Sequence, residues 1–127
     1  MALDGDDQAV RLVVTNYLKG MIYGDDDLLR SAMHPLCMQA GHYKGEYEFM
    51  PRDAFIDAIR PEKKELNGTP ITFDILIVDM TGDVALVKIM DVCFGTTWTD
   101  YLTLIKHDRT WQIVMKAFYD HAHDGKP

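Results

Sequence analysis

The stretch from Thr97 to His121 constrains the fold more than any other part of the chain. It reads as two long antiparallel strands, rich in aromatic and β-branched residues, joined by a tight polar turn at His107-Asp-Arg-Thr110. Asp100 and Lys116 interrupt its otherwise apolar pattern. A carboxylate set among Trp98, Leu102 and Leu104 costs stability unless it is solvated, paired or neutral. Asp100 is therefore a candidate pocket acid. The structural alternative is a carboxylate bonded to a neighbouring Thr or Lys, or lying on the outer sheet face.

The punctuation upstream is consistent with this reading. Val10, Val13, Val14, Tyr17, Leu18 and Met21 fall at helical spacing, with Asp residues before them and Gly24 after them, which predicts a helix over about residues 6–23. Asp25 or Asp26 can cap a short second helix that stops before Pro35. Residues 37–50 form a hairpin pattern about Lys44-Gly45. Pro51 then opens a helix carrying Phe55, Ile56 and Ile59, which Pro61 ends, and Glu62–Thr69 reads as a charged connection. Strands are expected at Ile71–Met80, Val84–Phe94, Thr97–His107 and Thr110–His121. At about 10 residues each they exceed the usual length, which favours a curved sheet over a flat one. The order predicts one α+β domain over residues 1–127, with helices on one face of a β-meander.

Composition narrows the partners. With 47% apolar residues in 127, the chain can build one core. Its 13 basic against 20 acidic residues give a formal charge of -7, and no basic stripe exists, so nucleic acid is not an expected partner. No apolar run nears the roughly 18 residues of a membrane span, so no membrane partner is expected. The opening Met-Ala-Leu-Asp-Gly-Asp-Asp does not read as a secretory signal. Cys37 and Cys93 read as buried free thiols in a reducing compartment, which points to a cytoplasmic protein. His121 and His123 form a His-x-His pair without a third ligand, so no metal is assigned. With no phosphate-binding glycine loop and no Ser-His-Asp order, no cofactor is expected either.

Several local motifs, in order, resemble the nuclear-transport-factor-2-like superfamily, which includes ketosteroid isomerases and SnoaL-like polyketide cyclases. They are Tyr17-Leu-Lys-Gly-Met-Ile-Tyr-Gly-Asp25, His34-Pro35, Gly82-Asp-Val-Ala85, Thr99-Asp-Tyr-Leu102 and Trp111-Gln-Ile-Val-Met-Lys-Ala-Phe118. Within the superfamily the likeness is greatest to the group described as "putative lumazine-binding". The resemblance implies a cone: a strongly curved mixed or antiparallel sheet wrapped around N-terminal helices, of the cystatin-like α+β barrel type. It further implies an apolar pocket at the open end and homodimers formed through the sheet. Members range from isomerases, cyclases and dehydratases to binding modules, so the fold does not name a reaction.

In ketosteroid isomerases, an acid at the position matching Asp100 stays protonated and donates to a developing oxyanion, the worked case of a neutral carboxylic acid. The base of that enzyme, aligned through His34-Pro35, would fall on Gln39 or Ala40, and neither can abstract a carbon-bound proton. This departure argues against isomerase chemistry. His34 is the alternative proton carrier, against a structural reading as a helix-capping histidine. Tyr17, Tyr47, Trp98 and Met115 are candidate pocket walls for a small apolar or aromatic ligand, with ordinary packing as the competing explanation.

Two turns decide which residues share the pocket. A two-residue Gly95-Thr96 loop would set Asp91 opposite Asp100. A two-residue Asp108-Arg109 loop would set Lys116 opposite Tyr101, on the other face from Asp100, and one added residue would reverse this. Lys116 is accordingly expected to be structural or at a dimer interface. The functional expectation is a small-molecule-binding domain, with cofactor-free acid–base chemistry through His34 and Asp100 if it catalyses. The alternative is a non-catalytic dimeric interaction or ligand-sequestering module.

Overall fold

The computed structural model describes residues 5–60 and 72–123; the expected helix stop at Pro61 and the connection Glu62–Thr69 lie outside the described residues. Helix α1 spans Gly5–Tyr23 and buries Val10, Val14, Tyr17, Leu18 and Met21, a stripe at helical spacing. Gly24, at φ 68, turns the chain. Asp25 then caps α2 (Asp26–Ala32), its side chain accepting from the Leu28 amide at 3.1 Å. The two helices meet closely because Gly20 has no side chain: a Cβ there would stand 2.8 Å from Leu29 Cγ.

Strands β1 (Met33–Tyr43) and β2 (Glu46–Pro51) form the expected hairpin about Lys44-Gly45, and α3 (Arg52–Ile59) follows with Phe55 and Ile56 buried. Strands β3 (Thr72–Thr81), β4 (Val84–Cys93), β5 (Thr96–His107) and β6 (Thr110–Asp120) make the meander. The sheet order is β2-β1-β6-β5-β4-β3, antiparallel throughout except for the parallel β1–β6 pair. Bulges or irregularities interrupt the β1–β6, β3–β4 and β5–β6 pairings. Each bends a strand and increases its twist, so the long strands curl without closing into a barrel. This is the expected α+β fold with a mixed sheet. Ile89, Leu102, Leu104 and Ile113 on the inner face are fully buried in one core with Val10, Val14 and Leu18 of α1.

Register departs from the sequence reading at the β4–β5 turn and at one point within β6. The β4–β5 loop is Phe94-Gly95, not Gly95-Thr96, and both residues take positive φ, 51° and 80°. Asp91 therefore pairs with Trp98, and Asp100 pairs with Ile89. Asp91 and Asp100 become diagonal neighbours on the inner face rather than direct partners. The β5–β6 loop is Asp108-Arg109 as expected, with His107 opposite Thr110. However, Thr103 pairs with Met115 and Leu104 with Ile113, leaving Val114 as an extra residue in β6. That single residue sets Lys116 opposite Leu102 and Phe118 opposite Asp100, and so brings Lys116 onto the face of Asp100.

Candidate functional site

A pocket opens where the inner sheet face meets α3 and leaves about 50 Å³ for the centres of water-sized molecules, more than a single water needs. Its walls are mostly apolar. Phe55 and Ile59 of α3, Phe94 of the β4–β5 turn and Trp98 of β5 line it, with Tyr43 and Phe118 on other strands. Trp98 is fixed from both sides: it stacks on Tyr43 at 5.6 Å and meets Phe118 edge-on at 5.7 Å. Its indole N–H donates to the Cys93 carbonyl at 2.9 Å.

Into this surface project five polar side chains: Gln39, Glu48, Asp91, Asp100 and Lys116. Asp100 is 3% exposed and its Oδ2 accepts from the Tyr17 hydroxyl at 3.0 Å. Burial pushes its carboxyl above the ordinary carboxylate range, while Lys116 and the Tyr17 hydrogen bond pull the other way. Burial, followed by the charge of Asp100, likewise raises Tyr17 well above a free phenol, so it acts as a donor.

Asp91 is 1% exposed, and burial together with the neighbouring charge of Asp100 raises its carboxyl to about 7. Two acids on adjacent strands inside apolar walls do not both ionise readily. The Cys93 thiol donates to Asp91 Oδ2 at 3.3 Å, and burial holds that thiol far above its usual range, so Cys93 is no thiolate nucleophile. Asp91 Oδ1 has no hydrogen-bond partner among the described residues.

Lys116 is 4% exposed. Its ammonium lies 4.2 Å from the ring centre of Phe55, 5.1 Å from Tyr17 and 5.3 Å from Phe118, an aromatic cage that offsets part of the cost of burying charge. Gln39 Nε2 donates to Glu48 Oε2 at 3.0 Å, and Gln39 Oε1, also buried, is left without a partner among the described residues. Burial raises the Glu48 carboxyl, opposed by Lys116 and Gln39.

Of the residues singled out from sequence, Asp100 and Trp98 line the pocket, and Tyr17 stands behind Asp100 as its hydrogen-bond donor. The other three lie elsewhere. His34 is the second residue of β1, and its Nδ1 accepts from the Leu36 amide at 3.0 Å, a local bond away from the pocket wall. Tyr47 sits on the edge strand β2, 64% exposed, against His42. Met115 precedes Lys116 and pairs with Thr103, so strand alternation points it to the outer face. Lys116, expected outside, is inside. Gln39, Glu48 and Asp91 were not identified as site residues from sequence; Cys37-x-Gln39 and Glu46-x-Glu48 alternate as half-buried strands do, but no sequence signal says which face is concave. His121 shares a hydrogen bond with Thr99 at 2.8 Å, and no group of three candidate ligands for a metal ion occurs among the described residues.

Residues 5–119 match the model of the family described as "Putative lumazine-binding". The chain belongs to that family. No curated protein matches it. Among solved structures, it is similar to an NTF-2 like protein of unknown function from Silicibacter pomeroyi, 27% identical, over 95% of this chain and 100% of the other, with TM-score 0.87. An NTF2-like protein of unknown function from Shewanella baltica is 21% identical over 95% and 98% of the two chains, with TM-score 0.82. A "putative ketosteroid isomerase" from Shewanella frigidimarina is 16% identical over 93% and 100%, with TM-score 0.66. The latter two share the fold. The family description is one of small-molecule binding and carries no activity with it, so for this member of the putative lumazine-binding family the pocket is the feature to interpret. No helix among the described residues is long and apolar enough to cross a membrane.

Proposed function

We propose that this protein binds a small planar organic ligand in the pocket, with Trp98 and Phe55 as walls and Asp100, Asp91 and Lys116 as polar contacts. One observation carries the reading: ionisable groups of both signs, each at most 4% exposed, line an open apolar cavity. Such an arrangement is costly for stability alone, since buried ion pairs seldom repay their desolvation. It is the usual composition of a ligand site, with few polar groups in a mostly apolar hollow. The family description supports the same reading.

A second reading adds cofactor-free acid–base chemistry, favoured by Asp91, whose carboxyl titrates at about 7. In this reading Asp91 rather than His34 moves the proton, and neutral Asp100, positioned by Tyr17, donates to a developing oxygen anion. The exposed apolar side chains Leu86, Val92, Tyr101 and Tyr119 on the outer sheet face suit a homodimer, and two buried free cysteines suit a reducing compartment.

Native mass spectrometry of protein purified from its own host tests both parts, reporting a retained small molecule and the subunit count together. The expected result is a dimer carrying a ligand released on denaturation. Asp100→Asn should retain most of that ligand and Asp100→Leu should lose it. Equal retention by the two variants would remove Asp100 from the binding role. An empty protein that also takes up no small aromatic compound would refute the pocket reading, and, if dimeric, would leave an interaction module.

A further inference from the structure

Resting on the pocket reading above, we infer that the ligand presents a protonated nitrogen on a small planar ring, received by Asp91 with Gln39 as the second acceptor. Two independent features point there. The first is hydrogen-bond supply. Gln39 Oε1 and Asp91 Oδ1 are the buried side-chain polar atoms left without a partner among the described residues, and both side chains line the pocket. Both are oxygens. Buried acceptors without donors cost free energy that a donor-bearing ligand recovers. The flat terminal torsion of either side chain is broad, so a small rotation turns the unpartnered oxygen toward an incoming N–H.

The second feature is charge. Three acids, Glu48, Asp91 and Asp100, and one base, Lys116, line the cavity. The ammonium of Lys116 is gathered over the rings of Phe55, Tyr17 and Phe118, with Phe55 nearest. With Glu48 and Asp91 ionised and Asp100 neutral, the pocket carries a formal charge of about -1. An anionic ligand would add to that excess, and a cation would relieve it. The aromatic walls offer a cation the same attraction that they offer Lys116.

The groups around Asp91 determine how binding depends on pH. Facing the pocket are Tyr43 from β1, Glu48 from β2, Cys93 from its own strand, Asp100 from β5 and Lys116 from β6, with Tyr17 of α1 bonded to Asp100; α3 contributes only Phe55, Ala58 and Ile59. Burial and Asp100 hold the proton on Asp91 up to about 7. A cation favours the ionised carboxylate, so its arrival expels that proton, and affinity rises as pH rises through 7.

Calorimetric titration of the full chain with benzamidine, benzamide and benzoate tests the inference, because the three probes share size and ring but are cationic, neutral and anionic. Benzamidine should bind at least tenfold tighter than benzamide at pH 8, with benzoate weakest, and its affinity should fall about tenfold on going to pH 6. In wild-type protein near pH 7, buffers of differing ionisation enthalpy should reveal proton release on benzamidine binding, a readout that needs no variant. Asp91→Asn should bring benzamidine to the benzamide level and abolish the pH dependence, and Gln39→Leu should weaken benzamidine without removing that dependence. Benzoate binding as tightly as benzamidine, or benzamidine binding without proton release, would overturn the inference and leave the pocket reading standing. Failure of all three probes to bind would overturn the inference, and in protein that also carries no retained small molecule it would overturn the pocket reading too.

Discussion

The Tyr17 hydroxyl donates to Asp100 Oδ2 at 3.0 Å across 83 positions of chain, joining the middle of α1 to the middle of β5 inside the core. Tyr17 is fully buried and Asp100 is 3% exposed, so little water competes for the bond. Tyr17→Phe should therefore cost about 1–3 kcal/mol, the penalty for a buried polar group that loses its partner. The same change should move the Asp100 titration further up, since the bond now holds it down. Chemical denaturation measures the first effect and carboxyl NMR the second. An unchanged unfolding midpoint would mean that the bond is not formed in solution.

Asp91 sets a pH dependence whose sign follows from its position. Its carboxyl goes from 3.8 to about 7 on folding, so between those values the folded state binds the extra proton. The stabilisation is fully present below about 4 and is lost as pH rises through 7. Asp91→Asn removes this decline. The variant should gain on wild type as pH rises from 4 to 8, by on the order of 4 kcal/mol across the window. Thermal melts of both proteins in matched buffers would show the gap widening; a constant gap would place Asp91 in water.

Lys116 acts on the same acid from β6, on the same inner face. Its charge lowers the Asp91 and Asp100 carboxyls against the effect of burial. Lys116→Met keeps much of the apolar stem and removes the charge. Asp91 should then titrate above its value of about 7. Carbon-13 carboxyl shifts followed against pH would register this, and an unmoved titration would separate Lys116 from the acids.

Gly41 lets β1 and β6 approach. A Cβ at this position would stand 2.5 Å from the Phe118 carbonyl oxygen and 2.8 Å from its ring. The obstacle is backbone, so the strand itself must shift. Gly41→Ala should destabilise by about 1–3 kcal/mol, and because Phe118 borders the pocket it should also weaken probe binding. Denaturation midpoint and titration on the same sample check both.

How much of this was legible in the sequence depends on the scale of the signal. Helix α1, the Asp25 cap, the Lys44-Gly45 hairpin and the meander all rest on local spacing and turn residues, and the structure follows them, although β1 begins at Met33, four residues before the expected hairpin. The acid at Asp100 stood out because a charge among Trp98, Leu102 and Leu104 breaks an apolar strand. Lys116 interrupts the apolar pattern of β6 in the same way, whereas Asp91 gave no comparable signal. Whether they met Asp100 depended on turn and register.

That division has one physical cause. Element type, caps and hairpins are set by interactions within a few residues, which a chain displays directly. The pocket is set by strand parity, and parity is a sum over every turn and bulge between two residues. One extra residue, Val114, reversed the face of Lys116; one step in the Phe94-Gly95 turn made Asp91 a diagonal neighbour of Asp100. By itself the sequence determined an α+β fold with an acid in an apolar strand. Only tertiary packing, which chose the bulge because it buries the inner face against α1 and α3, decided that three acids and one lysine share a hollow.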